Sequence, residues 1–112
     1  MYKRQVFEPI AHELTTDTGI SNADGAVAIA RLEPGSGSAT YFFINIGNND
    51  FLDTGGTRNP DRQGYATFGR VTKGLEVARK IQKMETDASS DDPVTQGQTL
   101  KTPVIIKRAF RK

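Results

Sequence analysis

The sequence predicts a mainly β fold with one helix. Three stretches, residues 26–31, 40–46 and 65–71, alternate their side chains with the period of a β-strand, and polar, glycine-containing turns separate them. One later stretch, which opens at Gly74, repeats apolar residues at helical spacing. With 112 residues the chain has room for one small domain with a modest core.

The elements follow in order from the N-terminal side. Residues 6–14 are a short mixed segment, and residues 15–24 are polar and end in a turn signal. Residues 26–31 form the first predicted strand, in which Val27 and Ile29 lie on one face and three alanines on the other.

The second and third strands flank a long loop. Residues 33–38 have a composition typical of loops. The second predicted strand, residues 40–46, follows them, and both of its faces are apolar enough to be covered by other parts of the protein. Residues 47–63 are rich in glycine and asparagine and are predicted to be turn and loop. Residues 65–71 then form the third strand.

The helix is predicted from one apolar stripe, which we interpret as core packing. After it, residues 86–99 are polar, and residues 103–110 return to an alternating strand pattern. The stripe consists of Leu75, Ala78, Ile81 and Met84.

Composition excludes several classes of function. The chain has 36% hydrophobic and 25% charged residues, and its apolar runs are far shorter than the roughly 20 residues that span a bilayer. It has no cysteine, so disulfides, thiolate zinc sites and catalytic thiols are excluded. The net charge is +2, and only residues 107–112 are locally basic, which is typical of a solvated terminus. We expect no membrane and no nucleic-acid partner.

Three features that could indicate a nucleotide site, a metal site or a catalytic triad each lack residues that such a site requires. The glycine-rich residues 34–38 lack the Lys-Ser/Thr pair of a phosphate loop. The Asn and Asp residues at 48–53 lack the alternate ligands and closing Glu of a calcium loop. His12 is the single histidine, so a zinc site would need three carboxylates around it and a catalytic triad has no spare base. We therefore expect no cofactor and no metal.

Three segments indicate a protein family more specifically than the composition does. They are GAVAIAR at 25–31, SATYFFINIGNNDFLD at 38–53 and GYATFGRV at 64–71. Together they resemble the second half of a cyclophilin, and the resemblance runs from about Glu8 to Ile81. It implies a partial, cyclophilin-like antiparallel barrel and a bacterial-type peptidyl-prolyl cis-trans isomerase (rotamase) that acts in protein folding. The implied partners are proline-containing peptides or unfolded proteins, and a cyclosporin-type ligand for the full-length parent.

The resemblance also implies a substrate site. The strand that contains Ala30 and Arg31 would offer its backbone to a bound peptide. Phe43 matches the phenylalanine that floors the proline pocket, Leu52 matches a leucine of its wall, and Tyr65 matches the His or Tyr that closes its far side. An apolar proline ring needs such an apolar slot.

Two further positions complete the set of predicted substrate-binding residues. Phe51 stands where the family has Trp or Phe beside the leucine. Tyr41 stands where the family usually has Gln, and its hydroxyl can donate a hydrogen bond but lacks the carbonyl acceptor of an amide. Substrate contact at Tyr41 is therefore the weakest of these assignments.

The family's arginine-containing FHR segment and its FMxQGG segment should precede Glu8, and neither occurs in residues 1–8. We assign no catalytic residue, and we expect the chain to be a C-terminal piece with little activity. Residues 1–5, MYKRQ, resemble a translated sequencing adapter and are interpreted as a non-native leader, with an ordinary basic tail as the alternative. Residues 6–112 are then the C-terminal part of a single cyclophilin-like domain.

Two other hypotheses stay open at this stage. The binding-class alternative is a non-catalytic proline-peptide-binding module, which an upstream sequence without the arginine would favour. The structural alternative is a degenerate domain without a groove, which tight binding of a proline-containing peptide would contradict. The compartment, cytoplasm or periplasm, is left open, and the source gene is expected to encode an arginine and an FMxQGG-like segment upstream of Val6.

Overall fold

The computed structural model describes residues 7–87 and 97–112. Its regular elements are mostly antiparallel strands with few helices, as predicted. The chain divides into two compact units, residues 1–75 and residues 76–112. In order, the elements are α1 (Thr15–Thr18), β1 (Ala26–Ile29), β2 (Phe42–Ile44), a 3₁₀ turn (Asp50–Leu52), β3 (Thr67–Arg70), α2 (Leu75–Gln82), β4 (Thr86–Asp87) and β5 (Thr99–Leu100).

The first unit contains a three-stranded sheet in the order β2-β1-β3. Both pairings are antiparallel: Ala28 lies opposite Phe43 in β2 and opposite Thr67 in β3. A bulge between Val27 and Ala28 interrupts the pairing of β1 with β3. Each observed strand is shorter than its alternating pattern, because alternation marks which side chains share a face and not where ladder hydrogen bonds end.

The interior of this unit is small and polar. Ala28 is fully buried and Ala26 is 6% exposed, and the largest fully buried side chains are Asn22, Asn45 and Thr67. Buried amides and hydroxyls are stable only when they are hydrogen-bonded. Hydrogen bonding therefore holds this unit together as much as apolar packing does.

Helix α1 is absent from the sequence prediction, which assigned residues 15–24 to a polar turn. It is a single turn without a side-chain cap at Leu14. Its first residue is tied to a distant loop instead: Thr15 N donates to Thr54 Oγ1 at 3.0 Å, and Thr54 N donates to Thr15 Oγ1 at 2.9 Å. A helix stabilised by such a long-range pair carries no local signal.

The second unit consists of most of α2 and the β4-β5 pair. The predicted helix is confirmed over Leu75–Gln82, although none of its residues is fully buried and Met84 lies beyond its end, 38% exposed. The strand predicted at residues 103–110 is wrong, because residues 103–112 adopt no regular element. Ile106 and Phe110 there are 69% and 70% exposed.

Candidate functional site

Three of the predicted site residues, Arg31, Phe43 and Tyr65, are in contact around the Tyr65 ring. The Phe43 and Tyr65 rings lie edge to face, with centroids 5.3 Å apart and planes at 89°. The Arg31 guanidinium carbon lies 5.2 Å from the centroid of the Tyr65 ring. Edge-to-face aromatic pairs and cation–π contacts are both attractive. We call Phe43 and Tyr65 the aromatic wall.

The strands explain why these two rings meet. Phe43 lies opposite Ala28, and Ala28 lies opposite Thr67, two residues after Tyr65. Opposed residues share a face of an antiparallel sheet, and side chains alternate along each strand. The methyl group of Ala28, fully buried between two larger neighbours, leaves space above it for the rings.

Leu52 is joined to the aromatic wall through the backbone. Tyr65 N donates to Leu52 O at 2.8 Å, and the buried Asn22 amide donates to the carbonyl oxygens of both residues at 3.2 Å. The two N–H donors of Asn22 Nδ2 are shared with a third acceptor, Asp53 Oδ1 at 2.8 Å, and Asn45 Nδ2 donates to Asn22 Oδ1 at 3.1 Å. Asn22 thereby fixes the 3₁₀ turn against the start of β3, a role that its position in a turn signal did not indicate.

The Arg31 side chain is 2% exposed and uses all five of its N–H donors inside the chain. Nε and Nη2 donate to Gly64 O at 3.0 and 2.6 Å, and Nη1 donates to Leu32 O at 3.0 Å. The remaining two donors form a bidentate pair with the Asp61 carboxylate, each at 3.1 Å. We call this arrangement the Arg31 clamp.

The Asp61 carboxylate of the clamp is charged over the neutral range. Its hydrogen bonds from Arg31, and then the one from the backbone N–H of Gln63, lower the pKa of Asp61 below its ordinary value. Hydrogen bonds to the charged form favour that form. Asp61 therefore keeps its charge, and with it the ion pair, to lower pH than an ordinary Asp would.

Of the other three predicted residues, Ala30 directly follows β1, and Tyr41 and Phe51 are exposed. Ala30 N donates to Tyr41 O at 3.1 Å, so the Ala30 amide is already engaged within the sheet. The side chains of Tyr41 and Phe51 are both about half exposed. A groove-bound peptide would reach these two residues from solvent, without prior unpacking of the unit.

The other face of the sheet forms a separate apolar cavity of about 780 Å³. Phe42 and Phe68 line it together with Val27 and Ile29. Because Phe42 and Phe43 are adjacent in β2, their side chains point to opposite faces. Phe43 and Tyr65 do not line the cavity, but Arg31 does, so this side chain borders both the cavity and the aromatic wall.

Gly64 binds the Arg31 clamp through its carbonyl oxygen and directly precedes Tyr65 of the aromatic wall. We expect position 64 to tolerate no side chain. Its φ is +70°, and a Cβ there would lie 2.5 Å from the carbonyl oxygen of Leu52. Gly64→Ala should add overpacking of about 1 to 3 kcal/mol to the left-handed penalty of about 1 to 2 kcal/mol. Gly55→Ala is the matched control, because Gly55 has φ +90° and open space. Urea unfolding should show the larger loss for Gly64→Ala; equal losses would contradict this packing.

The residues that the structure describes contain neither a candidate metal cluster nor a helix able to span a membrane. Over residues 7–87 and 97–112, no three or more His, Cys, Asp or Glu side chains are grouped so as to hold a metal ion. No helix in the same ranges has the length and apolarity needed to cross a membrane.

Comparison with known proteins gives consistent matches. The family model "Cyclophilin type peptidyl-prolyl cis-trans isomerase/CLD" matches residues 2–109. Peptidyl-prolyl cis-trans isomerase A of Dickeya dadantii (strain 3937) is 38% identical over 88 residues, 78% of this chain and 43% of that protein. Peptidyl-prolyl cis-trans isomerase cyp18 of Streptomyces antibioticus is 35% identical over 112 residues, 97% of this chain and 61% of that protein.

Peptidyl-prolyl cis-trans isomerase B of Escherichia coli (strain K12) is 34% identical over 89 residues. That match covers 80% of this chain and 52% of the relative. The chain thus spans about half the length of the curated relatives that it matches.

Proposed function

The chain belongs to the cyclophilin-type peptidyl-prolyl cis-trans isomerase family, and from that premise we propose that the protein isomerises the bonds that precede proline in peptides and proteins. Within it, this chain would supply the pocket that holds the proline ring. The proposed pocket consists of Phe43 as its floor, Leu52 as its wall and Tyr65 at its far side.

The observation that carries this proposal is the aromatic wall. Phe43 and Tyr65, 22 positions apart in the chain, lie edge to face at 5.3 Å on one side of the sheet. Neither ring is fully buried, so part of each is available to a ligand. Ligand sites combine such apolar surfaces with a few fixed polar groups, and a proline ring is apolar while the peptide around it is polar.

The chemistry requires the pocket to hold proline while the preceding bond twists. Amide resonance sets the barrier to that rotation at about 18 to 20 kcal/mol. A pocket that grips the ring fixes one side of the bond, and a donor that stabilises the twisted amide lowers the barrier. We assign the first task to Phe43, Leu52 and Tyr65.

A second candidate function, a proline-peptide-binding module without catalysis, is favoured by the Arg31 clamp. Arg31 is the arginine whose guanidinium lies over Tyr65, and all five of its donors are engaged with Gly64, Asp61 and Leu32. A guanidinium in this state has no donor for a substrate amide. The pocket of Phe43, Leu52 and Tyr65 would therefore bind proline without a hydrogen bond from Arg31 to the substrate amide.

The proposed partners are proline-containing peptides or unfolded proteins. A cyclosporin-type ligand is proposed for the same groove in the whole protein, since such a ligand would have to fill the pocket lined by Phe43 and Tyr65. It would then displace a bound proline peptide. Displacement would place both ligands in one groove, whereas simultaneous binding would separate them.

Binding to a matched pair of peptides tests the proposal. The first contains one proline in a short, uncharged sequence, and the second has alanine in its place. We expect the 112-residue chain to bind the first peptide more tightly and the Phe43 and Tyr65 ring resonances to shift on its addition. Equal affinity for both peptides, or shifts confined to the cavity residues Phe42 and Phe68, would contradict the proposed pocket.

A further inference from the structure

The Arg31 clamp joins the end of β1 to the loop that leads into β3. Its acceptors are one carbonyl next to Arg31, that of Leu32, and two groups on the loop, Gly64 O and the Asp61 carboxylate. The loop contacts are 33 and 30 positions away in the sequence. One side chain therefore fixes the last turn of this loop against the sheet.

The clamp acts directly on the position of Tyr65. Gly64 immediately precedes Tyr65, and its carbonyl accepts from both Nε and Nη2 of Arg31. The same guanidinium lies over the Tyr65 ring, 5.2 Å from its centroid, and Phe43 makes the edge-to-face contact with that ring. The hydroxyl end is held by Asn59, whose Nδ2 lies 3.3 Å from Tyr65 Oη.

Different contacts hold the backbone of Tyr65 and its ring. Its backbone is bound to Leu52 and Asn22, which would keep the chain path without Arg31. The ring has no covalent restraint beyond its own side-chain torsions, so its orientation depends on the groups packed against it. Arg31 is the charged group among them, and its buried position makes its hydrogen bonds strong.

We propose that Arg31 is a positioning residue that sets the affinity of the pocket for proline by holding Gly64 and Asp61 and thereby fixing the Tyr65 ring. This inference rests on the proposed function. It gives the Arg31 side chain a supporting role against Tyr65, at the border of the apolar cavity, in contrast to a direct side-chain contact with substrate. The prediction that its backbone meets the peptide is independent of this assignment.

Lysine is the conservative replacement that separates charge from geometry. Arg31→Lys keeps the positive charge, but one ammonium group cannot reproduce the planar fork that reaches Gly64 O and both Asp61 oxygens. Asp61→Asn leaves the Arg31–Gly64 bonds in place and removes only the carboxylate, which is 29% exposed. The second variant is therefore expected to fold even if the first is destabilised.

The experiment measures the affinity of each variant for the proline peptide and for its alanine counterpart, at equal folded fraction by circular dichroism. We expect a loss of about threefold or more in proline affinity for Arg31→Lys, a smaller loss for Asp61→Asn, and effects that are not additive in the double variant. The affinity for the alanine peptide should change little. Tyr65 ring resonances should move in both variants.

Two substitutions outside the Arg31 clamp serve as controls. Arg58→Lys and Asp50→Asn change exposed residues of the same types and should leave proline affinity unchanged. Unchanged proline affinity and Tyr65 resonances in Asp61→Asn and Arg31→Lys, with stability alone reduced, would overturn the inference. If the unmodified chain failed to distinguish the two peptides, the proposed function would fail instead, and the Tyr65 resonances would still decide whether the clamp positions the ring.

Discussion

Phe43→Ala is expected to weaken binding of a proline-containing peptide by about tenfold to a hundredfold, because burial of an apolar side chain of this size is worth about 1.5 to 3 kcal/mol. Phe42→Ala is the matched control. It removes the same atoms from the adjacent residue of β2, on the face that lines the apolar cavity. Phe42→Ala should change the affinity by less than about threefold.

Both variants should lose stability, so folding must be checked first. Truncation of a fully buried Phe typically costs about 3 to 5 kcal/mol. The cost should be lower here, since Phe42 is 48% exposed and Phe43 is half-buried. Affinities are then compared at equal folded fraction by circular dichroism. If Phe42→Ala lost affinity while Phe43→Ala kept it, the assignment of the two faces would be wrong.

The sequence predicted the central elements because their information is local. Alternation over residues 26–31 and 65–71 reports which side chains share a face, and β1 and β3 lie inside those ranges. The ends were overestimated because alternation shows which side chains share a face and not where the ladder hydrogen bonds stop, so β1 ends at Ile29 and β3 begins only at Thr67. The apolar spacing after Gly74 likewise located α2 correctly.

The failures share a cause, which is dependence on distant partners. Helix α1 is held by Thr54, 39 positions away, and its four residues carry no periodic signal. Residues 103–110 have the alternation of a strand, yet a strand exists only where another backbone accepts its hydrogen bonds. The alternation shows only that these residues favour a strand conformation. Within the part of the chain that the structure describes, no other strand pairs with them.

The candidate site divides in the same way. The order and spacing of Phe43, Leu52 and Tyr65 allowed their assignment from family resemblance, and the structure brings Phe43 into contact with Tyr65. Their role in substrate binding stays a prediction. The Arg31 clamp had no signal in the sequence, because a single arginine at a strand end and an aspartate 30 residues later are not distinctive until the loop brings them together.

The 112-residue chain is expected to accelerate prolyl isomerisation very little, even while it binds proline peptides. The arginine-containing FHR segment that the family resemblance leads us to expect does not occur in the sequence, and the Arg31 guanidinium over Tyr65 has every N–H engaged within the chain. Loss of one preorganised donor to a developing charge costs about 10² to 10³ in rate in other enzymes. Exchange should therefore proceed near the uncatalysed timescale of about 10 to 100 s at 25 °C.

The measurement is magnetisation exchange between the cis and trans forms of a proline peptide, with the chain added at increasing concentration. A curated relative, the isomerase B of Escherichia coli, serves as the active control under the same conditions. The peptide's resonances should broaden or shift through binding while the exchange rate stays near its value without protein. Binding without acceleration would assign this chain the pocket alone. Acceleration comparable to that of the control would show that another side chain of residues 1–112 supplies the donor and that occupancy of the Arg31 clamp does not limit catalysis.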